Sequence, residues 1–344
     1  MTKAILLPTP GDPFLNKLWF NLFESRWQKE VDKVYILLNS KIENSVVDFI
    51  RKFYTSNPKV VFLYENKMME HGWAIKKLVL NCKEELVMLA EDDGLIFKSG
   101  ALEEQFQKIE KKEFDVIGGH RCSATPGISE RDKYTYYCEG NEPFLWPCFL
   151  FTRLEYLKKT DLVFGAKGFK KGDYIKELDW IVDTNEEAMD TFGWAAIQLY
   201  SQGLNIDFIE QYHAMAEDLQ FYEHKQRMWD GNCKWIHFGS LSGMMTNWLI
   251  DDNNLPLESR NYPETKIDKL SNTDDMTNPG VRADFESRVA HTWLAFEVTK
   301  NECNEISEFR EQYEKAIIRL IGSFSLNTDE ILRKMKVFKE LLGI

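Results

Sequence analysis

The sequence predicts an α/β fold with a mostly parallel central sheet, followed by a helical C-terminal region. Short apolar runs of strand length alternate with segments whose apolar residues recur at helical spacing, which is typical of parallel strands joined by right-handed crossovers. The run Leu86–Ala90 is apolar throughout, as in a strand buried on both faces of a sheet. From Val281 onward the pattern is helical.

The first third of the chain is expected to alternate strictly between strands and helices. The proline-rich turn Pro8–Pro13 ends the first strand, because proline cannot continue a helix or donate to a sheet ladder. The expected strands are Lys3–Leu7, Val34–Leu38, Val60–Tyr64 and Leu86–Ala90, and the expected helices are Phe14–Trp27, Val46–Tyr54, Glu70–Cys82 and Ser99–Lys111.

The middle of the chain has weaker patterns. The aromatic-rich stretch Tyr134–Phe151 suits either a core or a sugar-binding surface, and the core is favoured. The loop Gly165–Gly172 carries three lysines and is predicted to be a solvated flexible loop, with a closing lid as the alternative. Further strands are expected at Asp115–Ile117, Phe149–Arg153 and Asn205–Ile209.

Composition excludes several classes of protein. A net charge of −12 opposes general binding to nucleic acid, which needs many phosphate-neutralising Lys and Arg side chains. No apolar run approaches the roughly 20 residues of a membrane helix, and the N-terminal segment is too short and too proline-rich for a signal peptide. The six scattered cysteines include no Cys-x-x-Cys pair, so we expect reduced thiols in a cytoplasmic protein.

Three consecutive acids, Glu91, Asp92 and Asp93, end the fourth predicted strand and are followed by Gly94. We refer to these acids as the acid triplet. Ligands of open α/β sheets gather at the carboxyl ends of strands, and a divalent cation would relieve the mutual repulsion of acids placed there. The alternative is that one acid caps the next helix and the others face water.

Neither common phosphate-binding fingerprint is present. The first strand ends in Pro-Thr-Pro, with no Gly-x-Gly-x-x-Gly after it, and no Gly-x-x-x-x-Gly-Lys-Ser/Thr occurs. If the chain binds a phosphate ester, a metal at the acid triplet would hold it.

Alternating strand–helix units, a fourth strand that ends in Glu-Asp-Asp and the missing glycine-rich loop together resemble a GT-A-fold glycosyltransferase, similar to glycosyltransferase family 2. In that family an Asp-x-Asp motif binds Mn²⁺ or Mg²⁺ that bridges the donor diphosphate. The resemblance implies a metal on Asp93, with Glu91 on the ribose or sugar and Asp92 in the donor site. This sequence has Glu91 where the motif begins with Asp.

Other site residues are implied by their position relative to the same family. The ends of the first two strands, Pro8, Thr9 and Asn39, would line the nucleoside pocket, with Glu65, His71 and Lys76 nearby. Each of these could equally be an ordinary loop, cap or solvated helix residue.

The catalytic base and a second metal ligand are also implied by the resemblance. Asp190, at the start of a helix that ends at Gly203, would deprotonate the acceptor hydroxyl; it also suits an N-cap, and Asp183, Glu186 and Glu187 are rivals. His237, followed by Gly-Ser, resembles the segment that provides a second metal ligand. A structural histidine is the alternative.

The resulting expectation is a metal-dependent glycosyltransferase that moves a sugar from a nucleotide-diphosphate donor, with UDP-sugar favoured, to an acceptor hydroxyl, with inversion favoured. The acceptor is expected to be a glycan, small molecule or protein, with nucleic acid as the less favoured alternative. The alternatives are a sugar nucleotidylyltransferase and a non-catalytic carbohydrate- or nucleotide-binding scaffold. The expected regions are a catalytic domain at 1–250 (nucleotide half 1–95, acceptor half 96–250), a linker at 251–280, and helices at 281–344 that pack on the domain, on each other or on a second subunit.

Overall fold

The computed structural model describes residues 1–40, 42–67, 69–121, 144–165, 167–178, 180–181, 186–189, 191–209, 235–237 and 279–344. A few of these, including His237, are described by their backbone alone. The strands of the main sheet are β1 (Lys3–Thr9), β2 (Lys33–Asn39), β3 (Val60–Glu65), β4 (Leu86–Leu89), β6 (Val116–Arg121), β7 (Phe144–Arg153) and β12 (Ile206–Phe208).

The main sheet has seven strands in the order β12-β6-β7-β4-β1-β2-β3. Strands β1 to β4 pair in parallel, as do β6 and β12, while β7 runs antiparallel to both β4 and β6. The prediction of an α/β fold with a mostly parallel central sheet and C-terminal helices is confirmed, and the arrangement is consistent with a GT-A-like fold. Because β1 to β4 are parallel, their carboxyl ends lie along one edge of the sheet.

Helices cover both faces of the sheet, since alternate residues of each buried strand enter two separate cores. Ile5 and Leu7 join one core, whereas Ala4 and Leu6 join the other. The first core includes residues of α1 (Pro13–Leu22), α2 (Asn44–Thr55) and α4 (Ala101–Glu110); the second includes residues of α3 (His71–Asn81), α5 (Leu154–Lys158) and α6 (Gly193–Ser201).

The C-terminal helices bury their apolar stripes within this chain. They are α7 (Pro279–Thr299), α8 (Ser307–Ser323) and α9 (Thr328–Leu342), and their apolar residues belong to the same core as α1. The ring of Phe14 on α1 packs edge-on against Phe296 at 5.0 Å and lies 4.5 Å from Tyr313. Of the packing partners that the sequence left open, these stripes use the main domain and one another.

Short strands complete the fold and correct one expectation. Strand β8 (Lys167–Lys170) pairs antiparallel with β11 (Glu186–Met189), and β9 (Tyr174–Ile175) pairs with β10 (Trp180–Ile181). The prediction of a flexible loop at Gly165–Gly172 was therefore wrong in its centre, because ladder pairing with a distant segment overrides the local glycine content. Strand β5 (Gly94–Ile96), which the sequence analysis missed, pairs antiparallel with β13 (Trp235–His237).

The expected linker lies almost entirely outside the described residues. Helix α7 begins at Pro279, two residues before the predicted start of the helical region, and the rest of the expected linker, 251–278, is not described.

Across the described part of the chain, no helix combines the length and apolar character needed to cross a bilayer.

Candidate functional site

The acid triplet forms a tight turn between β4 and β5. The Gly94 amide donates to the Glu91 carbonyl at 3.0 Å, which closes the turn. A side chain at its end would displace its neighbours, because an added Cβ would lie 2.9 Å from the Cys148 sulfur and 3.0 Å from the Phe149 ring. Asp92 and Asp93 are 4% and 2% exposed, so the turn carries two buried carboxyl groups at the carboxyl edge of the parallel strands.

Asp92 is held by the end of β1. The Thr9 hydroxyl accepts from the Gly11 amide at 3.0 Å and from Asn16 Nδ2 at 2.8 Å, and donates to Asp92 Oδ2 at 2.7 Å. Since a threonine hydroxyl has one hydrogen, these two accepted bonds direct that hydrogen at Asp92. Asn16 Nδ2 also lies 3.4 Å from Asp92 Oδ2. Two neighbouring strand ends are thereby joined through buried side chains.

Asp12 connects this cluster to the C-terminal helices. Its Oδ1 caps α1 by accepting from the amides of Phe14 and Leu15 at 3.0 and 3.1 Å, as an N-cap aspartate does. Its other carboxyl oxygen accepts a hydrogen bond from the Tyr313 hydroxyl on α8. The Asp12 carbonyl accepts from Asn16 Nδ2 at 2.8 Å.

Asn16 is the hub of the cluster. Its Oδ1 accepts from the Tyr54 hydroxyl at 2.8 Å, while its amide nitrogen donates to Thr9 and to the Asp12 carbonyl. We call the six residues joined in this way the buried network, and none of them is more than 4% exposed. They are Thr9, Asp12, Asn16, Tyr54, Asp92 and Tyr313.

Burial dominates the electrostatics of the site. It raises the pKa of Asp92 well above its usual range, and the charge of Asp93 adds to the effect. Burial also raises the pKa of Asp12 to about 6, although its hydrogen bonds act in the opposite direction. The pKa of the Cys148 thiol is raised by burial and then by Glu91 and Asp93. Burial lowers the pKa of Arg288 on α7, and the charge of Asp93 opposes that change.

His237 is placed beside the acid triplet by strand pairing. In the β5–β13 ladder His237 is the direct partner of Gly94, the residue after Asp93. Trp235, at the other end of β13, is fully buried, and its ring lies 5.7 Å from that of Phe149. The family resemblance implied one metal site for His237 and Asp93. The ladder makes their backbones neighbours although they lie far apart in the chain.

The half-exposed side of the site lies at the start of α3. His71 Nε2 is 3.7 Å from Glu91 Oε1, and Lys77 forms an ion pair with Glu65 at the end of β3. The side chains of these four residues are 15–32% exposed. We call these four residues the rim: Glu65, His71, Lys77 and Glu91.

The remaining predicted donor-site residues lie on the same elements. Asn39 at the end of β2 is paired in register with Glu65, and its Nδ2 donates to the Met69 carbonyl at 3.1 Å. Pro8 is buried within β1, and Lys76 is half-buried on α3. Thr9, Asn39, Glu65, His71 and the acid triplet thus share one edge of the sheet.

Asp190 lies outside the described residues, as does Asp183, and the side chains of Glu186 and Glu187 are not described. Helix α6 begins at Gly193, and its N-cap position is taken by Phe192, with a left-handed φ of 69°. The assignment of Asp190 as a catalytic base stays a prediction.

Sequence reasoning missed four residues of the buried network. Asp12 had a signal, because an aspartate directly before proline at a helix start is a strong N-cap pattern. Asn16 had a weaker one, as a polar residue among the apolar residues of α1. Tyr54 and Tyr313 had none, since both read as ordinary core aromatics.

Among the described side chains, no three His, Cys, Asp or Glu residues form a metal-binding group. The His237 side chain is not among them. The acid triplet nevertheless supplies carboxyl oxygens, which are ligands that suit Mg²⁺ and Mn²⁺. Two buried carboxyl groups on one turn, with a third acid beside them, fit such an ion.

No protein-family model matches the chain, and no curated protein matches it. One similar solved structure is that of S. aureus TarS 1–349, with 11% sequence identity, coverage of 99% of this chain and 92% of that chain, and a TM-score of 0.41. A TM-score this low assigns neither a fold nor an activity to this chain.

Proposed function

We propose that this chain is a metal-dependent glycosyltransferase that uses a nucleotide-diphosphate sugar, with a UDP-sugar favoured, and transfers the sugar to an acceptor hydroxyl. The observation that supports this most directly is the pairing of β5 with β13. It brings the backbone of His237 next to the acid triplet at the carboxyl edge of the parallel strands. Acids at that edge, with no glycine-rich phosphate loop, favour a metal as the diphosphate-binding element.

Asp93 and His237 would hold the metal, which we propose to be Mn²⁺ or Mg²⁺. When bound, it would supply Lewis-acid stabilisation of the departing diphosphate. Arg288 on α7 contributes a positive charge within electrostatic reach of Asp93. It lies on the C-terminal helices, so their proposed contribution is to the site as well as to the core.

The half-exposed rim is the proposed entrance for the donor. Glu91 would accept a hydrogen bond from the ribose or the sugar. Its side chain is still 15% exposed, and it lies beside His71 at the rim rather than in the core. Glu65 at the end of β3 would contact the nucleoside. Asn39, its register partner on β2, and Pro8 are buried and would form the wall behind it, with Lys76 beside them. Asp190 is the proposed base for the acceptor hydroxyl, with inversion favoured.

Thr9 and Asp92 have a different proposed part. Their side chains are hydrogen-bonded to one another, and the Thr9 hydroxyl is also occupied by the Gly11 amide and by Asn16. They would shape the floor of the donor pocket and fix the turn that carries Asp93, and their contact with the donor would be through the backbone around them.

A thermal-shift screen of nucleotide sugars and free nucleotides, each with and without Mn²⁺, tests the proposal. A ligand that binds only the folded state raises the melting temperature. We expect one nucleotide sugar, and its nucleotide diphosphate, to stabilise the chain only when metal is present, followed by release of the nucleotide diphosphate when acceptor is supplied.

Other outcomes separate the alternatives. Stabilisation by a sugar 1-phosphate with a nucleoside triphosphate, and release of pyrophosphate, would instead show a sugar nucleotidylyltransferase. Metal-independent binding of a sugar or nucleotide without turnover would show a binding scaffold. Absence of any shift would contradict the proposal.

A further inference from the structure

The C-terminal helices reach the acid triplet through a continuous line of buried hydrogen bonds. It starts at the Tyr313 hydroxyl on α8, passes through Asp12 and Asn16 of the α1 start, and ends at Thr9 and Asp92. No link in this line depends on an exposed side chain, because each member is at most 4% exposed.

We propose that Tyr313 is a positioning residue for the acid triplet. It holds Asp12 in place, and Asp12 in turn sets Asn16 and the Thr9 hydroxyl that faces Asp92. Removing the Tyr313 hydroxyl would then weaken metal-dependent nucleotide binding, and this consequence rests on the proposed function.

The hydrogen bonds that each residue makes explain how a change at Tyr313 would reach Thr9 and Asp92. Asp12 uses one carboxyl oxygen for the two amides of the α1 cap and the other for Tyr313. Without the hydroxyl, one oxygen of a buried carboxyl loses its donor, and the Asp12 side chain is held only through its other oxygen, by the two cap amides. The Asp12 carbonyl is an acceptor for Asn16 Nδ2, so the displacement passes to the group that holds Thr9.

The Tyr313 ring and the Tyr313 hydroxyl have separate contacts. The ring contacts Phe14 at 4.5 Å, Phe296 at 5.7 Å and Phe309 at 6.2 Å between centroids. A Tyr313→Phe substitution therefore keeps the aromatic packing and removes one hydrogen bond. The change is small enough that the chain is expected to fold.

Amide hydrogen exchange measured by NMR gives a local readout of the turn. The Gly94 amide bonds to the Glu91 carbonyl within the turn, and the Ala90 amide bonds to Leu6 just before it. The Leu86 amide bonds to Thr2 at the far end of the same strand and serves as the internal reference. General destabilisation would speed all three amides, whereas a displaced turn would speed only the first two.

In Tyr313→Phe we expect the Gly94 and Ala90 amides to exchange roughly tenfold faster than in the wild type, the ratio that corresponds to one hydrogen bond to a charged group. The Leu86 amide is expected to keep its rate. Phe309→Leu, which weakens packing on the same helix and keeps the hydroxyl, is expected to leave the Gly94 amide unaffected relative to Leu86. Unchanged Gly94 exchange in Tyr313→Phe, or an equal change in Phe309→Leu, would overturn the proposal.

Binding of UDP with Mn²⁺, measured by calorimetry, links positioning to function. We expect Tyr313→Phe to weaken it by roughly tenfold. The matched control is Tyr156→Phe, which removes a tyrosine–aspartate hydrogen bond of 2.9 Å to Asp115 and is expected to leave binding unchanged. Faster Gly94 exchange in a chain whose wild type binds no nucleotide would support the positioning role and contradict the proposed function. Faster exchange with unchanged binding would overturn the functional consequence.

Discussion

The two sides of the acid triplet are built in opposite ways. On the α1 side, the buried network holds Asp92 through hydrogen bonds whose members are at most 4% exposed. On the α3 side, the rim consists of the Lys77–Glu65 ion pair and the His71–Glu91 contact, between side chains that are 15–32% exposed. Water cannot readily replace the partners in the buried network, so the α1 side fixes the turn. Water or a ligand can replace the partners at the partly exposed rim, so the α3 side is open to a ligand.

The largest expected effect comes from removing the hub of the buried network. Asn16→Ala leaves the Tyr54 hydroxyl, the Thr9 hydroxyl and the Asp12 carbonyl each without one partner, and opens a cavity in the core. We expect the free energy of unfolding to fall by roughly 3–4 kcal/mol. Urea denaturation measures this fall. A fall below about 1 kcal/mol, the size expected for a partly exposed pair at the rim, would contradict the assignment of Asn16 as the hub of the buried network.

Asp12 gives the buried network a pH dependence. Its pKa rises from 3.8 to about 6 on folding, so folding favours the protonated form. The stabilising effect is complete below the unfolded pKa and is lost as the pH rises through the folded pKa, with a total of about 3 kcal/mol. Relative to the non-titrating Asp12→Asn, the wild type should therefore lose most of that amount, about 2 kcal/mol, of unfolding free energy between pH 4 and pH 7. A difference that stays constant over this range would exclude the shifted pKa.

The smallest expected effect is at the rim. Lys77→Met removes the ion pair with Glu65, whose side chains are 31% and 27% exposed. We expect a loss of less than about 1 kcal/mol, because solvent and salt screen such a pair. The loss should shrink further when urea denaturation is repeated in 0.5 M salt, whereas the loss from Asn16→Ala should be insensitive to salt. A salt-insensitive loss at Lys77 would remove the distinction between the two sides.

The sequence predicted the parts of the fold that are encoded locally. The run Leu86–Ala90 and the three acids after it are adjacent in the chain, so their position at the end of a buried strand could be read directly. The position of His237 beside Asp93 was implied by a family resemblance, and the β5–β13 register supports it for the backbone.

The buried network as a whole could not be predicted, because the links that join its parts are long-range. Tyr313 and Asp12 are 301 positions apart, and Thr9 and Asp92 are 83 apart. A buried tyrosine in an amphipathic helix carries the same sequence signal whether or not its hydroxyl has a partner. The sequence did not determine what the C-terminal helices pack against, for the same reason. A hydrophobic stripe indicates that a helix face is buried, but it does not identify the surface that covers the face.

Electron paramagnetic resonance of Mn²⁺ tests the central claim most directly, because the signal of free Mn²⁺ falls when the ion binds. With UDP present, we expect the wild-type chain to bind one Mn²⁺, and Asp93→Asn, which keeps the size of the side chain and removes its charge, to bind it roughly tenfold more weakly or worse. The Tyr156→Phe chain should match the wild type. Mn²⁺ binding that Asp93→Asn leaves unchanged, or no binding by the wild type with UDP or any other nucleotide diphosphate, would contradict a metal-dependent nucleotide site at the acid triplet.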